Sequence, residues 1–202
     1  MTESDVTPTE KHKLIAQTLL KESDRGCAIM GAALLADALE DLLRSFFRQA
    51  PEDVRGVIDP LFSGYAPLAT FSARIQVAFA IGILPRDLRD KIEVVRKLRN
   101  SFAHEWGPID FDDPRCTDRL AFLMAVKADD APHAPKETAA VEKPSPAGTD
   151  QRGERIVRRL AFALGVSEMI GYLGRLSDRA RQGVDIRRVV LARELRKGAE
   201  SR

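Results

Sequence analysis

Cysteine is scarce in this 202-residue chain, which contains only Cys27 and Cys116. With no paired spacing they define neither a disulfide framework nor a thiolate metal site, and they suit a reducing compartment. The histidines, His12, His104 and His133, lack ligand spacing, so no metal is expected. No glycine-rich phosphate loop occurs, and no cofactor is expected. No stretch reaches the roughly 18 apolar residues of a membrane span. The first residues carry Glu3, Asp5 and Glu10 with no apolar run, so a cytoplasmic, membrane-free protein is expected. Strand-like alternation and internal repeats are also missing.

What is present favours helices. Leu, Ala and Arg dominate, hydrophobic residues make up 44% and charged residues 31%. The expected fold class is all-α, a helical bundle with a linker and a C-terminal helical extension. The net charge of +2 hides a split, because residues 151–202 carry 13 basic against 6 acidic groups and residues 1–150 carry 19 against 24. A tail of +7 beside a body of −5 fits either docking of tail on body or an acidic partner.

Hydrophobic spacing organises the chain as follows. Residues 1–9 are polar and expected to be flexible, and residues 10–127 form the bundle domain. Within it, Leu14, Ile15, Thr18 and Leu19 mark a first helix. Ile29, Met30, Leu34, Leu35, Ala38, Leu39, Leu42, Leu43, Phe46 and Phe47 form the stripe of a central helix from Gly26 to Arg48, opposite Asp37, Asp41, Arg44 and Arg48. Pro51 starts a short helix to Val57, followed by an apolar loop with Leu61, Phe62, Tyr65 and Leu68 that should pack on the core. Helices are expected over 70–81, 85–105 and 114–126. Residues 128–150, with four prolines and no aromatic residue, read as a disordered linker. Residues 151–177 form a helix whose face Ile156, Leu160, Ala163, Leu164, Ser167, Ile170 and Leu173 should pack back on the bundle. Residues 178–202 form a basic tail with an arginine-rich helix over 185–197.

The helix opened by Pro85 carries the candidate chemistry. Leu88, Ile92, Val95, Leu98 and Phe102 fall on one stripe, and at 100° per residue Arg99 projects within it while Asn100 and His104 lie on the far side. A partly buried Arg99 needs a carboxylate, and Asp37, Glu40 and Asp41 of the central helix are the expected partners. His104 in the last turn, where the helix dipole favours imidazolium, together with a guanidinium, has the makings of a metal-free phosphate-cleaving pair. The same residues also fit a structural ion pair, a local helix-end hydrogen bond and a C-terminal cap. Trp106 reads as a packing anchor at the helix end.

The run PLFSGYAPLATFSARIQ from Pro60 to Gln76, then Gly82-Ile83-Leu84 and Ile92 to His104, resembles the mannitol operon repressor family over roughly residues 13–125. The Arg99-Asn100-x-x-x-His104 run is similar to the signature of HEPN domains, all-α bundles that often pair so that motifs of two protomers meet. The resemblance to the repressor family implies a cytoplasmic regulator of carbohydrate uptake or metabolism, a homodimer acting through an unidentified protein partner. Resemblance to ribonuclease members of the HEPN group implies instead a metal-independent endoribonuclease with Arg99, Asn100 and His104 as its catalytic set and RNA as substrate. Direct sequence-specific DNA binding is not expected: the helices flanking Gly82 imitate a helix-turn-helix, but the second mixes Arg86, Arg89 and Lys91 with Asp87, Asp90 and Glu93.

Overall fold

A computed structural model describes residues 8–48, 56–125 and 151–200. Among the described residues every regular element is helical: α1 (Pro8–Leu20), α2 (Asp24–Phe47), a 3-10 turn (Asp59–Phe62), α3 (Phe71–Ala80), α4 (Arg86–His104), α5 (Pro114–Ala125), α6 (Gln151–Arg181) and α7 (Ile186–Glu200). Local chemistry sets several starts. Ser23 Oγ accepts from Gly26 N at 3.1 Å ahead of α2, and Thr70 Oγ1 accepts from Ala73 N at 3.2 Å ahead of α3. Pro85 fixes the extended backbone before α4. The first helix begins at Pro8, inside the segment expected to be frayed. The expected linker at 128–150 and most of the Pro51–Val57 helix lie outside the described residues.

The central helix α2 is the axis of the core. Cys27, Ala28, Ala32, Leu35, Leu39, Leu42 and Leu43 are buried, most of them completely. They face α3, α4 and above all α6. The approach to α6 is close because Gly31 has no side chain: a Cβ there would stand 2.9 Å from Cε1 of Phe162. Phe102 of α4, Phe111 of the α4–α5 loop and Phe162 pack in series, with centroids 5.2 and 5.1 Å apart. Each such fully buried side chain contributes roughly 1.5–3 kcal/mol of transfer free energy. Ile29 and Leu14, expected on buried stripes, point to solvent. Cys27 and Ala16 take the facing positions.

The apolar segment around the 3-10 turn does fold onto the core through Ile58, Phe62 and Leu68, whereas Tyr65 is fully exposed. Its anchor is Arg74, whose Nε donates to Leu68 O at 2.8 Å and whose Nη2 lies 2.6 Å from Glu40.

Starting at Gln151, α6 lies along α1 and α2 and continues without a break at residue 177 to Arg181. Its buried face is Phe162, Ala163, Val166, Ser167, Met169, Leu173 and Leu176. Ile156, Leu160 and Leu164, expected to face the body, are turned outward. The reason lies in α2: buried Asp24 draws Arg155 and Arg159 inward at 2.8 and 2.6 Å, so two arginines occupy the inner face of the first turns. The last helix, α7, docks on the start of α4. Ile186 and Val190 are buried, Arg193 and Lys197 both donate to Asp87, and Glu194 accepts from Arg86 N at 2.9 Å.

Candidate functional site

The fourth helix buries Leu88, Ile92, Val95, Leu98 and Phe102, the stripe that its sequence spacing specifies. Leu88, Val95 and Phe102 are seven residues apart, and a heptad seam on a helix of 3.6 residues per turn drifts by about 20° per heptad. By Phe102 the buried face has therefore swung about 40°, away from the side on which Arg99 stands. Arg99 is exposed, not buried. Its Nη1 donates to Asn100 Oδ1 at 3.0 Å. The carboxylates expected to meet it are engaged elsewhere or turned out. Glu40 pairs with Arg44 at 2.7 Å and with Arg74, Asp41 with Arg181 at 2.5 Å, and Asp37 is exposed. His104 is the last residue of α4, exposed, with no hydrogen-bond partner among the described residues. The structure thus leaves Arg99, Asn100 and His104 on the outer surface of one helix end.

The same end carries the residue whose role the sequence misplaced. Trp106 is 101% exposed and packs on none of the described residues. Its loop is nonetheless held firmly. Arg25 Nη2 donates to Glu105 O and Gly107 O at 2.9 and 2.8 Å, on either side of the indole. Phe111 N donates to Asp24 Oδ2 at 3.1 Å, and Arg158 pairs with Asp112. Arg115 bridges Glu105 and Asp113. Its hydrogen bonds hold the Asp113 carboxyl down at about 2 and keep that of Glu105 below the usual range. Arg119 Nη1 donates to Ser101 Oγ at 2.7 Å, fastening α5 to the same turn of α4. An unburied tryptophan at this position follows from its flanks: Glu105 ends the helix, and Gly107-Pro108 forbid another turn that could carry the ring inward. Asp24, the anchor of the loop, left no local trace, because Phe111, Arg155 and Arg159 are distant in sequence.

Chemically this rim offers an indole, a guanidinium, an amide and an imidazole at a rigid surface, groups suited to recognition by stacking and charged hydrogen bonds. On another face, a cleft of about 480 Å³ runs between α3 and α4, with Ile75, Phe79, Val94 and Phe122 as its apolar lining and Arg89 stacked 4.6 Å over Phe79. Among the described residues no group of three or more His, Cys, Asp or Glu side chains converges as a metal site. No helix there is long and apolar enough to cross a membrane.

With this geometry in place, comparison with known proteins assigns the family. A solved X-ray structure of the MtlR–HPr complex from Escherichia coli is similar in fold, with TM-score 0.53 and 19% identity over 83% of this chain and 99% of that one. The mannitol operon repressors of Escherichia coli strain K12 and of Escherichia coli O6:H1 are each 26% identical to this chain over 104 residues, 52% of this chain and 53% of theirs. The chain therefore spans about half the length of the curated relatives it matches. The family profile described as Mannitol repressor matches residues 15–173, from α1 into the second half of α6, and on that extent the chain belongs to the mannitol repressor family.

Proposed function

We propose that this protein is a cytoplasmic regulator of mannitol-repressor type that acts by binding a protein partner at the α4 terminal rim, without a DNA-reading element of its own. The observation that carries the reading is Trp106, wholly exposed on a loop tied down at both flanks. Held rigid, an aromatic side chain loses little freedom on binding, which is why tryptophan is enriched among interface residues of large effect. Arg99 and His104 beside it add donors, so the fitting partner presents carboxylates or carbonyls around an apolar pocket.

The case against direct operator binding rests on α7. A recognition helix reads bases with its N-terminal residues, and here Asp87 and the Arg86 amide, at the start of α4, are already engaged by Arg193, Lys197 and Glu194. HPr is the first partner to test, because the similar Escherichia coli structure is of a complex with it. Titration of the full chain with the HPr of its own cell should give saturable binding, weakened about tenfold or more by Trp106→Ala, as for a strong interface residue. Absence of binding by the wild type, or an unchanged affinity of the variant, rejects this assignment. A sequence-selective, salt-resistant gel shift would reject the claim about DNA.

A second reading is favoured by one observation: neither Arg99 nor His104 is consumed by an ion pair among the described residues. Paired across two protomers they would suffice for metal-independent RNA cleavage. Incubating RNA and chelator with wild type and with His104→Ala decides it, since only cleavage lost in the variant supports the enzyme.

A further inference from the structure

The positive charge of the C-terminal segment is not all used in docking it. In α7, Arg193 and Lys197 are committed to Asp87. Arg187 and Arg188 instead share one carboxylate, Asp185, each at 3.5 Å, and that carboxylate also accepts from Arg187 N at 3.1 Å at the start of the helix. The Arg188 side chain is 89% exposed. Across from them, at the start of α4, Arg86 has its backbone amide on Glu194, while its guanidinium is paired with no carboxylate among the described residues and stands 6.0 Å over the Phe79 ring.

These guanidinium groups border a hollow. Between α7 and the α3–α4 corner lies a cavity of about 460 Å³, with Phe79, Leu84, Pro85, Val190 and Leu191 as its apolar wall and Arg86 and Arg187 in its lining. The volume falls within the roughly 300–1,000 Å³ of specific binding pockets. Leu191 forms its α7 side and is 59% exposed, and Leu195, one turn further, is 66% exposed. Glu194, the carboxylate of the lining, is turned to the Arg86 amide. Two arginines against one glutamate leave the hollow with an excess of positive charge.

We infer that this hollow binds an acidic segment of a partner protein, which places a large apolar side chain among Leu84, Pro85 and Val190 and carboxylates against Arg86 and Arg187, with Arg188 extending the positive rim past Leu191. Charge complementarity selects this occupant. A guanidinium matches a carboxylate in planar, two-point hydrogen bonds, and an apolar anchor seated in a pocket within a polar rim is the usual centre of a protein contact. A lipid surface is bound by apolar side chains that project into it, whereas Leu84, Pro85 and Val190 are recessed. A second copy applied face to face would set arginines against arginines, which is unfavourable. At 1.5 Å per residue, Arg86 and His104 are about 27 Å apart along α4. The contact is therefore separate from the Trp106 rim and does not rest on the function assigned there.

Binding of fluorescently labelled peptides to the full chain tests this. The probe carries a central Leu-Phe pair between runs of Glu. One control has Lys in place of Glu, and the other has Ser in place of the Leu-Phe pair. The wild type should bind the probe saturably and about tenfold or more tightly than either control. Arg86→Glu combined with Arg187→Glu should invert the preference, so that the Lys peptide is bound and the Glu peptide is not. Both substitutions put Glu in the first turn of a helix, where the dipole favours it, so helicity by circular dichroism should match the wild type. Leu191→Ser should weaken the probe while keeping its advantage over the Lys peptide, and Trp106→Ala should bind the probe as the wild type does. A full chain that binds no peptide, equal binding of the probe and either control, a double variant that keeps the wild-type preference, loss of the probe in Trp106→Ala, or binding of phosphatidylglycerol vesicles in preference to the probe overturns the inference.

Discussion

At the scale of single residues, the structure concentrates consequence at a few positions where charge or volume has no alternative place. His12 is one. Burial, and then the positive charge of Arg175, hold its pKa below 6.5 against the opposing pull of Glu168, so the ring is neutral where it rests on Gly171. A histidine depressed on folding binds protons more readily in the unfolded chain, so stability falls as pH drops below 6.5 and levels off once the pH is under the lowered folded value. Melting temperature measured from pH 7 to pH 5 should show this slope in the wild type and lose it in His12→Leu. Gly171→Ala should lose it as well. A Cβ there would lie 1.7 Å from His12 Nε2, so the ring must leave its notch and regain an ordinary pKa. Trp106 is the opposite kind of residue. Fully exposed, it contributes nothing to packing, and Trp106→Ala should leave the melting temperature within the small range of ordinary surface changes, about 0.5 kcal/mol.

At the scale of elements, buried Asp24 joins three pieces of the chain: α2, the α4–α5 loop through Phe111 N, and α6 through Arg155 and Arg159. With the carboxylate only 1% exposed, Asp24→Ala strands two guanidinium groups, and breaking a buried pair costs about 3–5 kcal/mol. Both arginines retain some solvent contact, so chemical denaturation should report the lower end of that range, and the Trp106 loop should lose its order with it. This node also explains what sequence could and could not convey. The stripe of α4 is legible, because its five apolar residues sit at helical spacing against polar neighbours. The position of Arg99 was not, since it falls within the stripe averaged over the whole helix, whereas at its own level the buried face has already turned toward Leu98 and Phe102. The expected α6 face holds at Ala163, Ser167, Ile170 and Leu173 and fails in the first turns for another reason: apolar residues there are spread around the helix, and the inner face is marked by arginines whose partner lies more than 130 residues away. Periodicity selects a buried face only when charge keeps out of it.

At the scale of the whole molecule, the opposed charges of body and tail are used for intramolecular docking, but unevenly along the C-terminal segment. The sixth helix is held by the core itself, with Phe162, Val166, Met169 and Leu173 buried. The seventh buries only Ile186 and Val190 among its large side chains and relies on the Asp87 clamp. Burial raises the pKa of that carboxyl, yet the hydrogen bond from Lys197 and the charges of Arg193 and Lys197 outweigh it, leaving it lowered below 3.8. For a depressed carboxylate the contribution is present above 3.8 and is lost as pH falls through the folded value, so the clamp is closed throughout the neutral range. Charged hydrogen bonds of this kind stabilise by about 1.5–3 kcal/mol each, and partial exposure of Lys197 places this cluster at the low end. Asp87→Asn should therefore free α7 without unfolding α6. Hydrogen exchange checks this: amides of residues 186–200 should lose protection in the variant, and in the wild type at 1 M salt, where the Debye length shrinks to about 3 Å. Those of residues 160–176 should stay protected in both. Uniform loss along both helices would mean that α6 and α7 open as one unit and that the Asp87 clamp has no separate role.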